Sequence, residues 1–391
     1  MRERPFAPWP VFAADEIEAA TAVLASGKVN YWTGNECRAF EEEFAAACGC
    51  RHAISLANGT LALELALIGL GVGPGDEVVV PSRTFIATAS SVVARGARPV
   101  VADVDRDTGN LSADTVAAVL TGRTRAIIPV HLAGWPCDME ALLALADAHG
   151  LHVVEDCAQA HGAAWAGRPV GGFGKCSAFS FCQDKIMTTG GEGGMLVTDD
   201  ESLWRRAWEY KDHGKSWDAV FNRAHPPGFR WLHESFGSNF RMTEMQAAIG
   251  RLQLRKLPEW NERRRRNWSL LGEGMAAMPG LRVPHPEPRA THAGYKFYAY
   301  LRPEQLNDAW DQAKVIGAIN AEGIPCMAGS CSEIYRERAF STCDGGPPAA
   351  HPVAAELGRT SLMFLIHPTL GDRDMEDTLS AVARVMEVAA A

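Results

Sequence analysis

Lys185 lies in the stretch SAFSFCQDKIMTTGGEGGMLVT, from Ser177 to Thr198, just ahead of Gly190, Gly191, Gly193 and Gly194. SAFSF and GGMLVT each read as a short buried strand. The lysine therefore sits on their connection, where rigid elements can hold a side chain over a cleft. The glycines let the backbone turn sharply and approach another group closely. A lysine amine attacks carbonyls once desolvation or a neighbouring cation pulls its pKa down. The chemistry open to this stretch is carbonyl capture, with an aldehyde cofactor as the usual client. Taken alone, it also reads as a solvated loop lysine, since lysines are rarely buried.

Two further positions bear on that choice. Asp156 follows the run LHVVE, so its carboxylate would point out of the carboxyl edge of a sheet. There it can pair with a protonated ring nitrogen. Pyridoxal phosphate needs such a partner, because its ring withdraws electrons from a carbanion at the bound amine only while that nitrogen stays positive. An aspartate capping the next turn is the other reading. Asn58-Gly59-Thr60 opens the apolar helix LALELALIGL. Free N–H groups and the macrodipole at such a start favour an anion, so a phosphate can dock there. A plain N-cap by Asn58 or Thr60 is the alternative. In combination, the lysine, the aspartate and the anion site favour the cofactor reading.

The elements that would position these groups follow from the chain's pattern. From Gly75 onward, apolar runs alternate with helical stretches: EVVVP, ARPVVADVD, TRAIIPVHL and LHVVEDCAQ, with helices from Phe85 to about Ala94, near Leu111 to Leu120, and from Met139 to Ala148. Such alternation predicts an α/β protein with a parallel sheet covered on both faces and ligand groups at the carboxyl ends of its strands. Arg83 to Phe85, His131, Asp156 to His161 and Ser180 fall there. A helix from Met242 to about Arg264 contains Pro258, read as a kink or break. The Pro-rich VPHPEPR beyond it marks a change of composition. The expected division is a large domain, 1–260, with an N-terminal helical segment, and a small α+β domain, 261–391.

Composition bounds the function. The 391 residues are 47% hydrophobic, enough for a sizeable core. A net charge of -9 and a pI near 5.8 argue against a nucleic-acid or anionic-membrane surface. The one basic run, Arg263 to Arg266, reads as a helix face near an acidic partner or a phosphate. MRERPFAPWPVF has no apolar segment of signal-peptide length and no later stretch could span a membrane, so a cytoplasmic protein is expected. The ten cysteines are scattered, without metal or redox spacing. GLGVGPGD lacks the third glycine of a dinucleotide fingerprint and precedes its strand. GGFGKCS has Cys176 where a nucleotide-binding P-loop needs Ser or Thr.

The chain resembles the DegT/DnrJ/EryC1/StrS sugar aminotransferase family of fold-type I pyridoxal phosphate enzymes. The likeness runs nearly end to end, through SLANGTLALELAL, GPGDEVVVPSRTFIATASSV, PVHLAGWPCDM, VVEDCAQAHGA, the lysine stretch, NFRMTEMQAAIGRLQL and FLIHPTL. The resemblance implies that Lys185 carries the cofactor as a Schiff base and shuttles a proton, while Asp156 holds the ring nitrogen. It implies Gln159 at the phenolic oxygen and Phe85 stacked on the ring. Gly59, Thr60 and Ser180 would bind the phosphate, joined by Asn239 of a neighbouring subunit, so a homodimer with shared sites is expected. The implied reaction moves an amino group, from L-glutamate, onto a nucleotide-linked keto-sugar, for a surface polysaccharide or a glycosylated metabolite. A sugar dehydratase using the same cofactor, disfavoured by Lys185, and a non-catalytic regulatory paralogue are the rivals. One departure is Asp184, where many members carry a small residue or Asn; beside the lysine, it could support the protonated amine.

Overall fold

A computed structural model of the chain describes residues 2, 4–228, 230–342 and 350–391. The strands in chain order are β1 His52–Leu56, β2 Glu77–Pro81, β3 Arg98–Ala102, β4 Thr124–Ile127 and β5 His152–Asp156, then β6 Ala164–Trp165 and β7 Arg168–Pro169. There follow β8 Cys176–Ser180, β9 Gly194–Thr198, β10 Leu281–Arg282, β11 Ala290–Thr291, β12 Lys296–Leu301, β13 Cys326–Met327 and β14 Ser361–Leu365. Seven of them form the main sheet in the order β1-β9-β8-β5-β4-β2-β3.

From β8 to β3 every pairing is parallel. β9 runs antiparallel to both β8 and β1. The expected parallel sheet is thus extended by an antiparallel edge that the lysine connection itself creates. In the register of β5 with β8, Asp156 stands opposite Ala178, so Asp156 and Ser180 reach the same edge of the sheet. Strand β2 is buried throughout. Its Glu77 carboxylate is matched there by Arg123 at 2.6 Å and Arg98 at 3.5 Å.

The helix Gly59–Leu70 packs on β8 and β9, and two glycines set how closely. A Cβ on Gly59 would stand 2.6 Å from the Ser180 Cβ, and one on Gly194 would stand 2.3 Å from the Asn58 carbonyl oxygen. The helix start and the strand ends approach only because both positions lack a side chain. Behind them Phe40, Phe44, Phe179 and Phe181 form a cluster of tilted and edge-on rings. Each buried phenylalanine there contributes about 1.5–3 kcal/mol, which anchors the strand carrying Ser180.

Of the kink or break expected at Pro258, the break does not occur. One helix of 33 residues runs from Glu244 to Ala276 with Pro258 inside it. Its two ends have different cores to hold them. Leu254, Leu257 and Trp260 lie on the main-sheet core. Trp268, Leu271 and Met275 belong to a second core, around the antiparallel sheet β10-β12-β14-β13 and the C-terminal helix Asp372–Ala389. The proline-bearing N-terminal lead reaches this second lobe too: Phe6 packs on its core, and Arg2 pairs with Asp374 and Asp377. The basic run finds its acidic partner, with Arg263 and Arg266 bound to Asp372 at 2.8 and 2.5 Å, while Arg264 turns inward and is buried. Among the described residues no helix is long and apolar enough to cross a membrane.

Candidate active site

A cavity of about 610 Å³ opens at the carboxyl edge of the main sheet, lined among others by Gly59, Thr60, Phe85, Asp156, Gln159, Ser180 and Lys185. Seven of the eight residues expected from the sequence therefore share one wall system. Asn239 stands apart. It is exposed, bridged through its backbone to Asp212, and its Oδ1 accepts from the Arg241 N–H at 3.4 Å.

Lys185 follows a turn closed by its own N–H, which donates to the Cys182 carbonyl at 3.1 Å. Its side chain is 18% exposed, and Nζ lies 3.5 Å from Asp184 Oδ1 and 5.3 Å from the centre of the Tyr295 ring. The Lys185 carbonyl accepts from Trp9 Nε1 at 2.9 Å. Trp9 is itself held edge-on by Trp260 at 5.2 Å and under the Arg264 guanidinium at 5.0 Å.

Asp156 is buried at the end of β5. Oδ2 accepts from Thr88 Oγ1 at 3.0 Å, and Oδ1 from the Ala158 N–H at 3.2 Å. Burial pushes this carboxyl above its ordinary value, and the bonds from Ala158 and Thr88 and the charge of Lys185 offset only part of that. A cationic group placed in the cavity against Asp156 would restore the anion.

Beneath it, Glu155 faces the opposite way and is fully enclosed. Its oxygens accept from the N–H groups of Gly171, Phe173 and Gly174 at 2.7–2.8 Å. His131 Nδ1 accepts from the Cys137 N–H at 3.0 Å, so its proton is on Nε2, which donates to Glu155 at 3.2 Å. Burial alone would raise the Glu155 carboxyl, but His131 and the backbone donors outweigh it and hold it below the ordinary range. The ligand atoms of His131, Glu155 and Cys157 lie within 4.8 Å of one another. With both ring nitrogens and both carboxylate oxygens already bonded, the trio is a polar brace under Asp156 and not a metal centre. His131, expected among the ligand groups, is thereby turned inside. Arg83 also leaves the edge: its Nη2 donates to Ser361 Oγ at 3.2 Å and it lies against the rings of Tyr298 and Tyr300 in the second lobe.

Gln159 Oε1 accepts from the Ala133 N–H at 2.8 Å. That bond assigns the amide, leaving the Gln159 NH₂ to donate into the cavity. Ala133 holds the left-handed φ of 57° to present its N–H, a conformation that costs about 1–2 kcal/mol for a residue with a Cβ. Phe85 is 69% exposed on the cavity wall and offers a flat apolar platform. Opposite, Asn58 Oδ1 caps the helix by accepting from Leu61 N–H at 3.0 Å, so the first N–H groups, of Gly59 and Thr60, remain for an anion beside the Ser180 hydroxyl. A platform, an amide donor, a buried carboxylate, a lysine and a helix start are the donor set that a pyridine ring bearing an aldehyde, a phenolic oxygen and a phosphate requires. The residues fit pyridoxal phosphate.

Thr88, Trp9 and Tyr295 were not singled out from the sequence. Only Thr88 left a local sign, in the Thr84/Thr88 spacing of TFIAT, where the two hydroxyls lie 2.9 Å apart.

Comparison with known proteins agrees with this geometry. The sequence profile of the DegT/DnrJ/EryC1/StrS aminotransferase family matches residues 10–383. The dTDP-3-amino-3,4,6-trideoxy-alpha-D-glucose transaminase of Streptomyces venezuelae is 38% identical over 356 residues, 91% of this chain and 88% of that protein. GDP-perosamine synthase of Caulobacter vibrioides is 38% identical over 356 residues, 89% of each. An aminotransferase from Psychrobacter cryohalolentis, of solved structure, superposes with a TM-score of 0.96 at 53% identity, over 98% of this chain and 99% of that one. The chain belongs to the DegT/DnrJ/EryC1/StrS aminotransferase family, with the fold-type I architecture.

Proposed function

We propose that this aminotransferase binds pyridoxal 5′-phosphate in the cavity and moves an amino group from L-glutamate to the keto group of a nucleotide-linked sugar, in amino-sugar biosynthesis. The observation that carries the reading is that Lys185 and Asp156 share the cavity with the start of the helix Gly59–Leu70. When bound, the cofactor supplies an aldehyde for the donor's amine and a ring that stabilises the charge left by the lost proton. Lys185 Nζ would take that proton from the donor's α-carbon and deliver it to the carbon that carried the cofactor's aldehyde, then work in reverse on the keto-sugar. Asp156 keeps the ring nitrogen protonated, and Gln159 donates to the phenolic oxygen. Phe85 covers one face of the ring. Gly59, Thr60 and Ser180 hold the phosphate, and Asn239 of a second copy completes that grip.

Two features support a homodimer of this kind. Asn239 is on the surface and outside its own chain's cavity. In the segment before it, Phe236 is fully exposed and Trp231 is 82% exposed, which is apolar surface that a second chain would cover. The relatives' names supply the nucleotide-sugar class, and the cytoplasm is the setting this reading expects.

The test is the visible absorption of the protein loaded with pyridoxal phosphate, before and after L-glutamate is added without sugar. A yellow band that bleaches with release of 2-oxoglutarate supports the reading. A yellow protein indifferent to glutamate points to another donor or to the regulatory paralogue. In a second assay with the keto-sugar added, product formed without consumption of glutamate points to the dehydratase.

A further inference from the structure

Asp184 is a cavity carboxylate that the reaction as derived leaves without a role. Successive side chains of an extended segment point to opposite sides. Here the turn closed by the Lys185 N–H brings Asp184 and Lys185 to one side, with Oδ1 3.5 Å from Nζ. The other oxygen, Oδ2, accepts from the Tyr295 hydroxyl. Tyr295 is buried, and its own N–H donates to the Ala133 carbonyl at 3.0 Å, so it is a fixed donor. Tyr295, which precedes β12 and packs in the main-sheet core, therefore aims a carboxylate at the lysine.

The surroundings explain why a carboxylate is needed. Lys185 is faced by Asp156 from β5, His161 beyond it, Asp184 next to it in the chain, Glu192 of the glycine-rich turn, and Tyr295 and Lys296 at the start of β12, with Arg264 of the long helix close to His161 and Lys296. Among these, Asp184 is the carboxylate within ion-pair distance of Nζ. Lys296 lies over the Tyr295 ring at 4.7 Å. Arg264 is buried, with Nη1 donating only to the Gly294 carbonyl at 3.3 Å. Burial pushes Lys296 down to about 8 and Arg264 to about 9, with the Asp184 charge pulling Lys296 partly back. His161, pushed down to about 3 mainly by burial, is neutral and offsets nothing.

We propose that Asp184, aimed by Tyr295, is a positioning residue for Lys185: it holds Nζ on the cavity wall whenever that nitrogen is free, and sets its negative charge against that of the neighbouring Lys296. The proposal rests on the cofactor reading above. Asp184 acts through the lysine, the group its Oδ1 faces. Its side chain is 57% exposed, so the variants below remove charge without opening a core.

The experiment uses the loaded protein and reads the pH at which its visible band shifts, which reports the proton on the Lys185 nitrogen. Asp184→Asn lowers that midpoint by about one pH unit or more, and Asp184→Glu brings it back towards the parent value. Lys296→Met, which removes a competing cation, moves it upward. A midpoint for Asp184→Asn within about 0.2 pH units of the parent, well under the effect of a charge at this range, overturns the proposal. So does movement of Asp184→Asn and Lys296→Met in the same direction. Should the parent protein take up pyridoxal phosphate without a visible band, the cofactor reading itself fails, an outcome distinct from an unshifted variant.

Discussion

Trp9 Nε1 donates to the carbonyl oxygen of Lys185 at 2.9 Å, across 176 residues of sequence. The N-terminal lead thereby fixes the backbone of the residue on which the chemistry depends. The ring that does so is clasped by Trp260 and Arg264, both on the long helix that joins the two cores. Trp9→Phe keeps an aromatic ring and removes the donor. A lost hydrogen bond of this kind is worth about 0.5–1.5 kcal/mol, so kcat should fall about two- to twelvefold with little change in the thermal midpoint. Steady-state kinetics with an unfolding scan decides it, and an unchanged kcat would mean that Trp9 only packs.

Asp156 and Thr88 offer a graded pair. Asp156→Asn removes the charge facing the ring nitrogen and should lower turnover by orders of magnitude while loosening the cofactor. Thr88→Val leaves that charge and deletes one of its two donors, costing about 1 kcal/mol, or about fivefold in cofactor affinity. Equilibrium dialysis gives both constants. Equal losses in the two variants would contradict the charge's role, because the hydroxyl alone would then account for everything.

Glu155 makes a prediction about pH. Its folded carboxyl is held below the ordinary value of 4.5, so between the two values the unfolded chain binds more protons than the folded one. Stability is then fully present above about pH 5 and is lost as pH falls through the folded value. Glu155→Gln should cost at least about 3 kcal/mol at neutral pH, because three backbone donors and His131 lose an anion that no amide can replace. Thermal midpoints from pH 3 to 7 should also show a shallower acid limb in the variant. A parallel limb would place the acid sensitivity elsewhere.

These residues show which parts of the protein were legible in the sequence. The strand, lysine and strand of Ser177–Thr198 stood out because apolar runs and glycines are local signals, and Asp156 because a strand end fixes where its residue emerges. Direction was harder to read. The backbones of Arg83 and His131 lie at the expected edge, yet the long guanidinium reaches the second lobe and the imidazole turns under the sheet. Tyr295, 111 residues from Asp184, carries no local sign of that contact. Pro258 reads as a kink or break because an isolated helix would be interrupted there, but packing on two cores outweighs the lost backbone bond and the helix runs on. The positive φ of Ala133 has no sequence signature, since the strain is stored by its neighbours.

Asn239 supplies the test of subunit sharing. Asn239→Ala alone should weaken cofactor binding, and Lys185→Ala should abolish turnover while leaving the fold intact, since the lysine is not a core residue. Mixed in equal amounts and allowed to exchange, the two variants form some dimers with one chain of each. If Asn239 serves the partner's site, one site of each mixed dimer combines an intact Lys185 with an intact Asn239. Half of randomly assorted dimers are mixed, so about one quarter of the parent activity should return. If Asn239 serves its own chain, every site stays defective and mixing adds nothing to the residual rate of Asn239→Ala. Activity against mixing ratio distinguishes the two, because a shared site gives a curve that peaks near equal amounts and an unshared one gives a straight line.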